Sequence, residues 1–505
     1  HVEKAEILLV VFGDGEGTFD KVQFVDHDMA SQAGEGETGD AALLKTIERG
    51  DFTLELKRNG PFDLAVGSSV SLNEQVLRNV RLQIGEAVQG VPGEALGIGG
   101  KVAEYQNTVV MGRNMYAEWI QKQGNWPFGI PDEDYQALAK KFNPVHFDAE
   151  AWVLEAKNAG MKYLLITAKH HDGFALWPSS VSEYDVMDAT PFKRDILGEL
   201  VEASNKYGLK LGFYYSHWQD WEHPGGARPP IKEFKSVPPP VQVSDAQFEQ
   251  YWQEKCLPQV RELIENYQPA FIWFDTWGKP EIITEKRLNE LIALVREMDA
   301  NCLINSRILM KDPHIAGKVD FLSMGDNSFP KQRIDKPWET SGTMNRSWGY
   351  HQRDFNWEPA GQLLRKLASN VSRNGNFQLN VGPKSDGRFP KPAIKRLREI
   401  GAWMAVNSEA IYSAAPNPLP EQNWGRITMK ENSDGSKKLF LHVFDWPEER
   451  EIKVNGLEVI PSRIYTLETG QQLSFVPDHG SMVITLPNRV VDENITVIVV
   501  DVPEI

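Results

Sequence analysis

The sequence predicts an α/β fold. A (β/α)8-like TIM barrel spans residues 79–412, with a C-terminal antiparallel β-sandwich over 413–505 and a small β-rich segment over 1–78. Three observations predict it. Short apolar runs alternate with amphipathic helical stretches through the middle of the chain. Polar residues gather at the C-terminal ends of those apolar runs. Beyond residue 413 only short alternating runs split by turn residues remain. Repeated strand–helix units imply parallel strands joined by right-handed crossovers.

In residues 1–78, Gly, Asp and Glu surround alternating runs such as "EILLVVF" and "DFTLELKR", the period-two signature of strands. In the middle, "FDAEAWVLEAKNAG" opens with a capping Asp148, has apolar residues at helical spacing and closes on Gly160. "KYLLITAK" reads as the next strand. "DILGELVEASNKYG" is a helix ending at Gly208, followed by the strand "LKLGFYYS". A helical stretch from Ser244 to Tyr267 precedes the strand "AFIWFD". The helix "TEKRLNELIALVREMDA" places Leu288, Leu291, Ile292 and Val295 on one face; "CLINS" and "VDFLSM" follow as short strands. "PAGQLLRKLASNVSRNG" is a helix, then the strand "NFQLNVGP", then a helix from about Pro390 to Asn407. The Pro-rich "SAAPNPLPEQ" marks the junction to the tail. There "GSKKLFLHVFDW", "REIKVNGLE", "SRIYTLETG", "SMVITLP" and "ITVIVVDV" alternate as sandwich strands do.

His170, His171, Tyr215, His217, Asp275, Asn305 and Arg307 all fall at or just past predicted strand ends. A barrel brings such ends to one mouth, where active sites are built; an open sheet spreads them along an edge. No Gly-rich phosphate loop follows an early strand, so the nucleotide-binding alternative has no supporting motif.

The 505 residues carry a formal net charge of -16, which argues against a nucleic-acid partner, since phosphate contacts need clustered Lys and Arg. No apolar run reaches the ~20 residues of a membrane span. The two cysteines, Cys256 and Cys302, are expected to be buried thiols. The opening "HVEKAEILLVV" is not a signal peptide, and a cleaved leader is expected to be missing from this sequence.

Chemistry concentrates in "FIWFDTWG", residues 271–278, where Asp275 ends an apolar strand between Phe274 and Trp277. A carboxylate there either caps the next turn or serves as a nucleophile against a sugar's anomeric carbon. The second role requires a further acid/base group about 5–5.5 Å away. The paired His170 and His171 open onto Asp172, Gly173, Phe174 and Trp177; no third ligand at recognisable spacing accompanies them, so no metal is expected.

Five motifs in chain order, "KHHDGFALW", "GFYYS", "WFD", "PWETSGTMNRSWGY" and "LNVGPKSDG", resemble the family-29 glycoside hydrolases, the α-L-fucosidase family. The resemblance covers roughly 79–412 and implies a barrel with a C-terminal β-sandwich, a retaining mechanism through a covalent glycosyl-enzyme and no metal or other cofactor. It makes Asp275 the nucleophile and Trp273 the Trp of the Trp-x-Asp motif. It makes His170 and His171 the pair that bonds sugar hydroxyls. It matches Tyr214 to the tyrosine of "GFYYS", with Tyr215 one step away, and Glu118 with Trp119 to a Glu-Trp pair lining the pocket. Arg307 corresponds to an Arg after the next strand.

Two departures stand out. Gln83 in "VRLQIGEAVQGVPG" sits where the family carries an early-strand His. In "VDFLSMGDNSFP", Asp326 falls at the acid/base Glu position, with Glu339 of "PWETSG" as the nearest alternative and Glu358 as a third. The expected function is release of terminal α-L-fucose from fucosylated oligosaccharides or glycoconjugates, in the periplasm or outside the cell. The same mechanism on α-L-galactosides is one alternative, because an apolar pocket rejects an added hydroxyl by only about 10²-fold. A non-catalytic carbohydrate-binding protein on the same scaffold is the other.

Overall fold

A computed structural model describes residues 136–227, 243–275, 281–309, 318–352 and 354–503, together with the backbone of five strands between residues 10 and 66. The chain divides into two compact units, His1–Leu96 and Gly97–Ile505. In the first, β1 (Val10–Gly13) pairs antiparallel with β2 (Phe19–Gln23), and β3 (Ala42–Arg49), β4 (Phe52–Arg58) and β5 (Leu64–Val66) form a second antiparallel sheet.

Among its described residues the second unit holds seven parallel strands in sequence order. They are β6 (Tyr163–Lys169), β7 (Lys210–Tyr215), β8 (Phe271–Phe274), β9 (Leu303–Ile304), β10 (Leu322–Ser323), β11 (Trp338–Thr343) and β12 (Gly375–Asn380). A parallel bridge from Asn305 to Phe321 joins β9 to β10. Side chains show that this sheet curls into a barrel. In a flat sheet β6 and β11 would lie about 24 Å apart, five strand spacings. Instead the Tyr163 hydroxyl of β6 donates to Glu339 Oε2 of β11 at 3.3 Å. Tyr214, Phe271 and Trp273, with Tyr163, Leu165 and Phe321, fill the interior.

The helices obey their local signals. The Asp148 side chain accepts from Ala151 N at 3.0 Å to start α1 (Ala149–Asn158), and Asp195 does the same for α2 (Ile196–Tyr207), which closes on Gly208 at φ +73°. Ser244 and Gln247 form a capping box at α3 (Asp245–Tyr251). The predicted continuous helix to Tyr267 is interrupted by a π-turn over Trp252–Cys256 before α4 (Leu257–Tyr267). Pro258 has no N–H to return to the preceding turn, which breaks the α pattern there. In α5 (Glu285–Met298) the buried face carries Leu288, Leu291, Leu294 and Val295; Ile292, expected on that face, is only half-buried. After α6 (Ala360–Val371) and α7 (Lys391–Asn407) the chain enters the sandwich.

One sandwich sheet runs β13 (Gly425–Glu431), β14 (Lys437–Val443), β19 (Thr496–Val502), β16 (Arg463–Thr466). The other runs β15 (Glu451–Asn455), β18 (Ser481–Thr485), β17 (Phe475–Pro477). Strand β19 reads as an unbroken apolar run because both faces are covered. Ile498 and Val500 join the sandwich core, while Val497 and Val499 pack with Leu363 of α6 and Trp403 of α7. The Trp403 indole N–H donates to Ile495 O at 2.9 Å and pins the two layers together.

Candidate active site

The strand ends converge as their polar residues predicted. Asp275 follows the last residue of β8, is only 6% exposed, and lines a cavity of about 700 Å³ with His170, Tyr214, Trp273, Arg307 and Asp326. Its two oxygens are held from different sides. The Tyr214 hydroxyl donates to Oδ2 at 2.7 Å, and the Arg307 guanidinium pairs with Oδ1 at 2.7 Å. Burial and the charge of Asp275 push the Tyr214 phenol well above its ordinary pKa, so it remains a donor. Burial works against the charge on Arg307, but Asp275 and Asp326 outweigh it and raise its pKa further. The other arm of Arg307 donates to Asp326 Oδ1 at 2.6 Å. One guanidinium therefore spans both carboxylates. Asp326 is half-exposed, unlike Asp275.

One wall is aromatic. The His170 ring stacks on Tyr214 (5.2 Å, 7°), Tyr214 stacks on Trp273 (5.4 Å, 20°), and Arg307 lies over the Trp273 ring at 4.8 Å. Tyr214 and Tyr215 are separated by the strand pleat. Tyr214 faces this wall. Tyr215 points to the helices, where its hydroxyl donates to Gln259 Oε1 at 2.9 Å. Asn305 clamps the end of β8, accepting from Phe274 N at 2.9 Å and donating to Phe274 O at 3.0 Å.

Glu339 lies within the barrel, 3% exposed. It accepts from the Trp273 indole N–H, from Ser323 Oγ at 3.1 Å and from the Tyr163 hydroxyl. Burial raises its pKa against these bonds. Its place is to hold Trp273 in position. Glu339→Ala would leave three buried donors without their acceptor and is expected to cost about 2–4 kcal/mol. That cost would be read as a lower urea midpoint at unchanged slope. Glu358 lies away from this cluster, paired with Lys366 at 2.6 Å.

The two histidines take different places. His170 lines the cavity. His171 is fully buried behind it, ring centres 4.0 Å apart, with Nε2 at 3.9 Å from Asp275 Oδ2 and Nδ1 at 2.6 Å from Ser216 Oγ. Burial holds its pKa well below the ordinary imidazole value, and the charges of Lys169 and Arg307 act in the same direction. Asp172 Oδ1 accepts from Phe174 N at 3.4 Å across the turn, where Gly173 has φ +83° and a Cβ would sit 2.5 Å from Asp220 Oδ1.

Behind the histidines lies a group that sequence reading missed. Lys169 Nζ is 2.8 Å from Asp220 Oδ2, and Lys255 Nζ is 3.0 Å from the same oxygen and 2.6 Å from Glu222 Oε2. Lys169, Asp220 and Lys255 are buried. A Lys ending an apolar strand was its only local sign. Both cysteines are buried, and burial pushes each thiol up to about 12.

Potential ligand atoms of His170, His171 and Asp275 lie within 4.8 Å of one another, enough to hold a metal ion. The Arg307 guanidinium on Asp275 already supplies the positive charge such an ion would bring. Glu118, Trp119 and Gln83 lie outside the described residues. Among the described residues no helix is long and apolar enough to cross a membrane.

The sequence model of the family described as Alpha-L-fucosidase matches residues 98–409. A Caenorhabditis elegans relative is 30% identical over 336 residues, and the match spans 63% of this chain and 65% of the relative. The alpha-L-fucosidase from Vibrio sp. strain EJY3 is similar in structure, with TM-score 0.66 and 34% identity over 76% of this chain and 66% of that one. So is a trapped covalent intermediate of a Bacteroides thetaiotaomicron alpha-L-fucosidase, with TM-score 0.65 and 27% identity over 78% of this chain and 88% of that one. The chain thus spans about two thirds of the nematode and Vibrio proteins. With 312 of its 505 residues inside the family match, and the barrel and sandwich shared with solved members, this chain belongs to the alpha-L-fucosidase family.

Proposed function

We propose that the chain is a retaining α-L-fucosidase that removes terminal fucose from fucosylated oligosaccharides or glycoconjugates, acting in the periplasm or outside the cell. The carrying observation is the buried carboxylate of Asp275, oriented by Tyr214 and Arg307 at the end of a cavity with an aromatic wall. In the first step an Asp275 oxygen attacks the anomeric carbon. The glycosidic C–O bond breaks, and the acid/base group gives its proton to the leaving oxygen. In the second step that group takes a proton from water, the water oxygen attacks the anomeric carbon, and the ester bond to Asp275 breaks.

Asp326 is the acid/base in this reading. Its bridge to Asp275 through one guanidinium suits the separation of about 5–5.5 Å that a retaining pair needs. Glu339, sealed beneath Trp273, supports the wall instead. The family resemblance alone makes Gln83, Glu118 and Trp119, which lie outside the described residues, candidates for sugar binding, and in this reading His170 bonds a sugar hydroxyl.

Two measurements test this. Purified protein should hydrolyse 4-nitrophenyl α-L-fucoside in preference to the matching α-L-galactoside and β-D-galactoside; preference for a galactoside would move the substrate and keep the mechanism. Asp326→Ala should lose about 10²–10⁴-fold in kcat/KM on an alkyl fucoside. It should lose much less on an aryl fucoside, whose leaving group needs no proton. Equal losses on both would take Asp326 out of this role.

A further inference from the structure

The strand that carries Asp326 gains one residue where it reaches the mouth. Along the β10–β11 ladder and its continuation, Leu322 N donates to Pro337 O and Met324 N to Glu339 O, each at 2.9 Å, two residues per step. The next rung belongs to the N–H of Asp326. Instead Asn327 N donates to Ser341 O at 2.9 Å. One extra residue is therefore bulged out over Gly325–Asp326, a device that re-aims a side chain. The bulge is closed as a β-turn, with Ser328 N donating to Gly325 O at 2.9 Å. Asp326 takes the first corner of that turn and Asn327 the second, at φ +50°. A positive φ at the second corner alone is the type II pattern, which needs Gly or Asn there. The Asn327 side chain then fastens the turn to the neighbouring strand: its Oδ1 accepts from Thr343 N at 3.0 Å. Thr340 Oγ1 adds a bond to Ser328 O at 2.9 Å. Gly342 leaves room for this contact, since a Cβ there would sit 3.3 Å from Asn327 Oδ1 and 2.9 Å from the Phe377 ring.

From this we infer that Asn327 is a positioning residue for the acid/base: by holding the left-handed corner of the turn and bonding β11, it sets Asp326 into the cavity within reach of Arg307 and of the leaving oxygen. This rests on the reading of Asp326 as the acid/base. An aspartate is one methylene shorter than a glutamate, so its backbone must be carried closer to the reacting atoms, and the extra residue supplies that approach. Asp326 lines the cavity and meets Arg307 Nη1 at 2.6 Å. Its side chain is half-exposed, so its place depends on the backbone beneath it more than on packing. Asn327 takes no part in the chemistry. Its Oδ1 is turned to β11, and it acts through the turn it shares with Asp326.

The test compares an alkyl with an aryl α-L-fucoside, because only the alkyl leaving group needs a proton. Asn327→Gly keeps the positive φ and loses the bond to Thr343. It should lose about 10²-fold in kcat/KM on the alkyl fucoside, as a displaced acid does. On the aryl fucoside it should lose less than about 5-fold, which also shows that the protein is folded. Asn327→Asp tolerates the same φ and keeps an acceptor for Thr343 N–H. It should stay within about 5-fold of wild type on both substrates, each protein at its own pH optimum, since a charge added beside Asp326 moves the pH profile. In the Asp326→Ala background, Asn327→Gly should cost nothing further on the alkyl fucoside, because the group it positions is gone. Equal losses on both fucosides in Asn327→Gly, or a further loss in the double variant, would overturn the positioning role. Equal losses in Asp326→Ala are a separate result: they would remove the acid/base reading, and this inference with it.

Discussion

Asp275→Ala is expected to lower kcat/KM on an aryl α-L-fucoside by at least about 10³-fold, because the proposed nucleophile forms the bond that every later step uses. The circular-dichroism spectrum should be unchanged, since Arg307 keeps Asp326 as a partner at 2.6 Å and Tyr214 keeps its stacking on His170 and Trp273. Azide or formate should restore part of the turnover by entering the space left by the carboxylate. The azide product should carry the anomeric configuration opposite to the substrate, because a single displacement has replaced two. Full activity in Asp275→Ala, or a rescued product of retained configuration, would place the nucleophile elsewhere.

The largest loss of stability is expected from Asp220→Asn. Asp220 is fully buried and pairs with two buried ammonium groups, while the backbone N–H of His223 adds a bond of 2.9 Å. Burial alone would raise its pKa, but Lys169 and Lys255 outweigh that and hold it far below the carboxylate range. Neutralising it strands the Lys169 charge, with Glu222 left to Lys255, and is expected to cost about 3–5 kcal/mol in urea unfolding. Lys169→Met combined with Asp220→Asn should recover part of that loss, because the buried charge goes with its partner.

The sign of the pH dependence follows from the depressed pKa. The stabilisation from Asp220 is fully present above the unfolded value near 4 and is lost only as pH falls through the lower folded value. Wild-type stability should therefore persist further into acid than that of Asp220→Asn, and the difference between them should shrink as pH drops below about 4. A difference independent of pH across that range would mean that the charge of Asp220 does not matter. The cluster bears on function through its position. Lys169 precedes the paired histidines, and Asp220 follows the Ser216–Gln219 turn that holds His171.

Much of this was open to a reader of the sequence because it rests on local rules. Capping Asp148 and Asp195, the terminal Gly208 and the strand ending in Asp275 are set by spacing and by backbone chemistry within a few residues. Other features escaped for physical reasons. Strand β11 has no apolar run, since "WETSGT" fills a barrel interior with bonded polar groups; all six residues are buried. The π-turn at Trp252–Cys256 looks like continuous helix, because periodicity does not register one extra residue. Glu339 reads as an acid/base alternative in the sequence, which carries no sign of the Trp273, Ser323 and Tyr163 donors that close around it.

What the sequence determined by itself is the order of strand–helix units, the sandwich beyond them and the strand ends that carry the chemistry. Each of these is a pattern written along the chain. Only the tertiary structure decided that Tyr214 faces the carboxylate while Tyr215 faces the helices, that Arg307 joins Asp275 to Asp326, and that Ser216 meets the His171 ring. Those facts join residues from different strands across a curled sheet. Their roles depend on distances of a few ångströms that no spacing along the chain encodes.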